Sequence, residues 1–181
     1  MAALISSRKP KPRKRQRSAL VGAEKDLAIH ERRKPDARVA ARASRAHSAF
    51  FDTNVLLYCD DSANPEKQQK ALDLVVEHRR EDTGVVSLQV LQEYFVSVTR
   101  KFGLDPGLAR EKVEVYSRFR VAETAITDVL AAIDLHRLHG FSFWDALVIR
   151  CAQQSGCRVL LTEDMQHGQV VNGVRIVNPF I

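Results

Sequence analysis

The sequence has little cysteine, and what it has forms no pattern. Cys59, Cys151 and Cys157 are odd in number and include no C-x-x-C pair, so neither a zinc site nor a disulfide framework is indicated. Three free thiols fit a reducing cytoplasm. Long apolar runs are missing too. None approaches the roughly 20 residues that a membrane span needs, and the short apolar stretch Ala2–Ile5 is no secretory h-region. A membrane partner is therefore not expected. There is no internal repeat, which excludes solenoids and propellers.

What is present is a chain of 181 residues, 45% of them apolar, enough for one domain with a buried core plus a tail. The charge is split. Residues 1–48 hold 14 Lys or Arg against 4 acids, whereas residues 49–181 hold 14 against 18. The basic character thus sits in the tail, and the body is mildly acidic. Residues 8–17 read Arg-Lys-Pro-Lys-Pro-Arg-Lys-Arg-Gln-Arg, a like-charged run without apolar period, and disorder is expected there. Such an arm is either a polyphosphate-binding device or a solvated extension. The domain proper is expected over residues 49–181.

Within that body, short apolar runs alternate with helical patterns. Phe50-Phe51 reads as a buried strand ending at Asp52, and a helix follows from Asn54 to about Cys59. Pro65 opens a helix to about Arg80. Thr83–Val86 is a strand, and Ser87 is placed to cap a helix that stops at Gly103. Further helices are expected from Asp105-Pro106 to about Phe119, from Thr127 to His139, and from Phe143 to about Ser155. Val121-Ala122, Cys157–Thr162 and Val174–Val177 are the remaining strands. This alternation predicts an α/β fold, a three-layer α/β/α sandwich with a parallel sheet.

Four acids fall at element ends or on helices that adjoin them: Asp52, Glu93, Asp145 and Asp164. Each has a plain reading beside a functional one. Asp52 either caps the following helix or faces the crevice at the carboxyl ends of the strands. Glu93 lies roughly opposite the stripe Leu88, Leu91, Phe95, Val98, Phe102, where a solvated Glu belongs. Asp145, three residues after Ser142, completes a capping-box pattern. Asp164 follows the strand at 159–161 as a natural companion of Asp52, and Glu163 competes for the same place. Carboxylates gathered at one sheet edge repel unless a cation neutralises them, and an all-oxygen set selects Mg²⁺ or Mn²⁺ over zinc.

Four segments, in order, resemble the PIN-domain nucleases and are most similar to the VapC-type toxins of bacterial toxin–antitoxin pairs. They are Phe51-Asp52-Thr53-Asn54-Val55-Leu56, Val90-Leu91-Gln92-Glu93-Tyr94, Ser142-Phe143-Trp144-Asp145-Ala146-Leu147, and Leu160-Leu161-Thr162-Glu163-Asp164-Met165-Gln166-His167-Gly168. The resemblance spans residues 49–181. It implies a parallel α/β/α sandwich with an acidic pocket and Mg²⁺- or Mn²⁺-dependent cleavage of RNA. Asp52, Glu93, Asp145 and Asp164 then become the catalytic, metal-binding acids, which sets aside the solvated reading of Glu93. Asn54 and Thr162 match small polar positions that orient carboxylates. The resemblance also implies a cognate antitoxin as partner, a homodimer, and a cytoplasmic setting.

The basic extension departs from the family pattern, in which the first strand lies near the N-terminus. Arg100, Lys101, Arg118 and Arg120 are candidate attractors for RNA on the acidic body. Trp144 reads as core or interface packing. Leu56, Leu57, Leu74 and Val75 suit either the core or a dimer contact. Two rivals stand beside the nuclease. One is a non-catalytic module binding a partner or RNA, with the acids as caps. The other is a phosphatase of the haloacid-dehalogenase type, which requires a second Asp where this chain has Asn54.

Overall fold

The computed structural model describes residues 48–181. The basic run at 8–17 lies outside them, as does the rest of the extension up to residue 47. Six strands and six helices follow in order: β1 (Ala49–Phe51), α1 (Thr53–Tyr58), α2 (Pro65–Arg80), β2 (Gly84–Ser87), α3 (Leu88–Lys101), α4 (Pro106–Tyr116), β3 (Arg120–Ala122), α5 (Ile126–His139), α6 (Phe143–Gln154), β4 (Val159–Leu161), β5 (Val170–Val171) and β6 (Val174–Val177). Among the described residues no helix is long and apolar enough to cross a membrane.

The strands form one sheet in the order β3-β2-β1-β4-β6-β5. Pairing is parallel from β3 across to β6, and only β5 runs antiparallel, to β6. The expected parallel sheet therefore carries one antiparallel edge. Asn172 (φ 46°) and Gly173 (φ 85°) explain it, because two successive left-handed residues make the tight turn that joins neighbouring antiparallel strands. Phe50, Phe51, Val85, Val86, Leu160 and Ile176 are buried, as central strands covered on both faces must be. Helix α6 packs across β2, β3, β4 and β6 and pairs with α5, while α1 packs on α2 and α3, and α3 on α4.

Several turns follow the sequence closely. Ser87 caps α3 by accepting from the Val90 N–H at 3.2 Å, and Asp105 caps α4. Helix α4 ends at Tyr116, three residues short of its expected end, and Ser117 closes it. Leu56 and Val75 lie in the core, and the partly buried Leu57 and Leu74 pack against it. Trp144 is 58% exposed and is not core.

Two ion pairs, one buried and one half-buried, tie helices together. Lys112 of α4 bonds Asp60, just past α1, and the Tyr94 hydroxyl of α3 donates to the same carboxylate at 2.7 Å. Asp128 of α5 accepts from Arg150 of α6 and from the Ala125 N–H, both at 2.9 Å. With the Lys112 side chain only 3% exposed, removing one partner strands a charge away from water. Lys112→Met is therefore expected to cost about 3–5 kcal/mol, read as a fall in thermal midpoint on the order of 10 °C. A fall of a degree or two would show that the pair contributes little.

Candidate active site

The sheet changes winding direction at the seam between β1 and β4. Chain connections leave it in opposite senses there, which opens a crevice at the carboxyl ends of the strands. Phe51 pairs with Leu161, so the next residues, Asp52 and Thr162, stand side by side at the mouth. Their backbones are anchored: Asp52 N–H donates to the Leu161 carbonyl at 3.0 Å and Thr162 N–H to that of Val177 at 3.0 Å. Neither residue can swing away without breaking the sheet.

The Asp52 carboxylate accepts from the Thr53 N–H at 2.7 Å and from the Thr162 hydroxyl at 2.7 Å. It is thus both a helix cap and the centre of a polar network. The Asn54 amide nitrogen lies 3.2 Å from Asp52 Oδ2, 3.0 Å from Thr162 Oγ1 and 2.9 Å from Asp164 Oδ2. Two amide hydrogens face three oxygens. The other end of that amide accepts from the Glu163 N–H at 3.3 Å, and Thr162 Oγ1 accepts from the Asp164 N–H at 3.2 Å. Asn54 therefore joins the end of β1 to the loop after β4.

Glu93 reaches the same place from α3. Its Oε2 accepts from the Thr53 hydroxyl at 2.9 Å and its Oε1 from the Gln89 amide at 2.8 Å. The buried stripe of α3 is Val90, Leu91, Tyr94 and Val98, whereas Leu88, Phe95 and Phe102 are exposed. The helix is thus rotated from its sequence-derived orientation, and this brings Glu93 from the solvent side to the border of the site. Thr53 and Gln89 were not singled out from the sequence. The adjacency of Thr53 to Asp52 was the available signal, and Gln89 gave none.

Glu163 and Asp164, which competed in the sequence, part company here. The Glu163 carboxylate pairs with Lys67 of α2. Burial raises its pKa, but hydrogen bonds from Lys67 and Tyr58 outweigh that and hold it below the usual range. Asp164 is left facing Asn54. Asp145 sits on the first turn of α6, where its N–H donates to Ser142 Oγ at 3.1 Å. No hydrogen bond joins its carboxylate to Asp52, Asn54, Glu93 or Asp164. Of the basic attractors, Lys101 lines the site cavity, while Arg120 is bonded to the Ser155 carbonyl at 2.8 Å.

Asp52 is 8% exposed. Burial pushes its carboxyl up from 3.8 to about 6, against the hydrogen bonds from Thr162 and Thr53, and the charges of Asp164 and Glu93 push the same way. Among the described residues no three His, Cys, Asp or Glu side chains already stand together as a metal site. The donor chemistry nevertheless fits a hard cation. The groups are all oxygen donors, the amide hydrogens of Asn54 are outnumbered by acceptors, and the buried Gln89 Oε1 has no hydrogen-bond donor among the described residues. Thr53, Asn54, Glu93 and Asp164 open onto one cavity of about 630 Å³.

The PIN domain family model matches residues 49–171. Among solved structures, a toxin–antitoxin complex from Klebsiella pneumoniae contains a chain of the same fold. The TM-score is 0.53 at 21% identity, covering 73% of this chain and 98% of that one. No curated protein matches the chain.

The raised pKa has a signed consequence. The native state holds the Asp52 proton more tightly than the unfolded chain, so its charge costs nothing near pH 4 or below and the full penalty above about pH 6. In EDTA, Asp52→Asn is expected to gain stability on the wild type by on the order of 2 kcal/mol as pH rises from 4 to 7. Urea denaturation at both pH values measures this. A difference that does not change with pH would mean that Asp52 titrates normally.

Proposed function

The chain belongs to the PIN-domain family, and on that premise we propose that it is a divalent-metal-dependent ribonuclease, the toxin of a type II toxin–antitoxin pair. The observation that carries the reading is the convergence of Asp52, Thr162 and Asp164 oxygens on the two hydrogens of Asn54, with Glu93 tied to the adjoining Thr53. The shortage of donors supports a cation as the missing partner.

Asp52, Glu93 and Asp164, with Asp145 from α6, would hold Mg²⁺ or Mn²⁺. Such an ion, when bound, lowers the pKa of a water and offsets charge on phosphodiester oxygens. The chain's own groups do the rest. Thr162 and Thr53 fix the Asp52 carboxylate from two sides. Asn54 holds Asp164 in register with it, and Lys67 keeps Glu163 out of the cluster. Lys101 offers a positive charge to a phosphate entering the cavity. The fold of the Klebsiella complex supports an antitoxin as partner, and a homodimer belongs to the same reading. One observation favours a second reading, a non-catalytic binding module: the Asp145 carboxylate has no bond to the other three.

Cleavage of a labelled RNA pool by wild type and variants, with Mn²⁺, Mg²⁺ or EDTA, separates the two. Asp52→Asn is expected to abolish metal-dependent cutting, and Thr162→Val, which removes an orienting group, to reduce it about 10–100-fold. Mn²⁺ at 100 times its Kd is expected to stabilise the native wild type by about 2.7 kcal/mol. Absence of both cutting and stabilisation would favour the module. Removal of residues 1–47, with their excess of Lys and Arg, is expected to weaken RNA binding and flatten its salt dependence. An unchanged slope of affinity against salt would take the arm out of RNA recognition.

A further inference from the structure

The end of the sheet away from the acids carries the opposite charge. Register sets Ala49, Gly84, Val159 and Arg175 at one level across the strand starts, and Asp52 lies three residues further along, roughly 10 Å away. Arginines follow one another along this far rim. Arg79, in the last turn of α2, donates to the Arg118 carbonyl at 3.5 Å. Arg118 and Arg120 flank Phe119 at the start of β3. Arg120 donates to the Ser155 carbonyl at 2.8 Å and lies 3.9 Å from Cys157 Sγ. Arg158 is next in the chain, and its carbonyl accepts from the Arg175 N–H at 2.8 Å.

With Arg80, six of the 14 bases of an otherwise acidic body stand here. Opposing charge comes from Glu81, bonded to Arg80 at 3.3 Å, and from Asp82. Arg79 and Arg80 have a plain use, since the C-terminal end of a helix favours cations. Arg158 and Arg175 have none. Both are exposed, at the starts of strands, and neither side chain has an ion pair or hydrogen bond among the described residues. All six are arginine, whose planar fork matches a phosphate. From β3 to β6 the rim spans four strand spacings, roughly 19 Å, and a stacked strand carries a phosphate about every 3.4 Å. The chain also enters the domain here: Ser48 opens β1, where the Ala49 N–H donates to the Thr83 carbonyl at 3.1 Å. Residues 1–47, with 14 Lys or Arg against 4 acids, add charge of the same sign, and like charges exclude that arm as the occupant of the rim.

We infer that the strand-start rim docks the phosphate backbone of RNA, without regard to sequence and at the end of the domain opposite the acids. The nuclease reading supplies the identity of the polyanion. The docking itself needs neither the acids nor a cation, so RNA is held in one place and met by the acids in another.

The test measures binding of the full chain to a labelled RNA of mixed sequence by fluorescence anisotropy, in EDTA, over a series of KCl concentrations. Arg158→Gln/Arg175→Gln is expected to bind on the order of 10-fold more weakly at low salt, with the slope of log affinity against log salt flatter by about 2. Arg158→Lys/Arg175→Lys, which keeps the charge, should restore the slope. Arg110→Gln/Arg137→Gln, which removes equal charge from α4 and α5, should leave slope and affinity near those of the wild type. Equal weakening by that control pair overturns the rim, because net charge alone would then explain the loss. A slope that neither Gln pair changes overturns it too and leaves the rim to an acidic protein surface, as does a wild type that binds no RNA in EDTA. Cutting of the same RNA with Mn²⁺ is scored in parallel. Wild-type cutting with an unchanged slope means that this inference alone has failed. A slope that follows Arg158 and Arg175 without any cutting leaves the rim standing and removes the nuclease reading.

Discussion

A carboxylate taken out of water at the tip of a central strand is the constraint on which the rest of the site depends. Desolvating an ionised acid costs several kcal/mol unless other groups replace its hydration. Asp52 is supplied with a hydroxyl, a backbone N–H and a shared amide, which is incomplete compensation, since its carboxyl remains raised to about 6. The shortfall supports the proposed cation site. A fully satisfied carboxylate would have little to gain from an ion, whereas one left short of donors, with two further acids nearby, would gain more.

Precision at the site comes from parts that never touch it. Helix α1 has six residues, too few to be stable from its own hydrogen bonds, yet it carries Thr53 and Asn54. It is held at one end by Asp52 and at the other by Asp60, which Lys112 and Tyr94 pin to α4 and α3. The charged pair thus locks the helix that orients the acids, and its burial makes the lock selective for one arrangement. The Lys67–Glu163 pair does the same for the loop after β4.

Much of this was legible because local signals agreed with one another. Pro65, Ser87 and Ser142 open helices, Gly103, Gly140 and Gly156 lie just beyond helix ends, and short apolar strands alternate with them. The four acids and the two small polar residues were visible as strand-end or resemblance positions, and five of those six residues meet in the hydrogen-bonded network. What escaped was long-range or set by packing. The rotation of α3 is decided by Val90 and Tyr94, which the stripe drawn from Leu88 and Phe95 left out. The role of Asp60 could not be read locally, because its partners lie 34 and 52 positions away. Strand β5 has two residues, too short for an alternation to register, although Asn172-Gly173 announces its turn. Trp144 read as core or interface packing, and helix packing excludes the first by leaving it 58% exposed.

The brevity of β5 has a meaning of its own. A sheet whose inner strands are mostly apolar would, with long bare margins, template the addition of strands from other molecules. Here one margin is a two-residue arm folded back on β6, and the other is the three-residue β3 beginning at an exposed Arg120. Neither offers a straight ladder for a second chain to extend. The molecule therefore keeps a strongly cohesive interior while its borders discourage edge-to-edge aggregation.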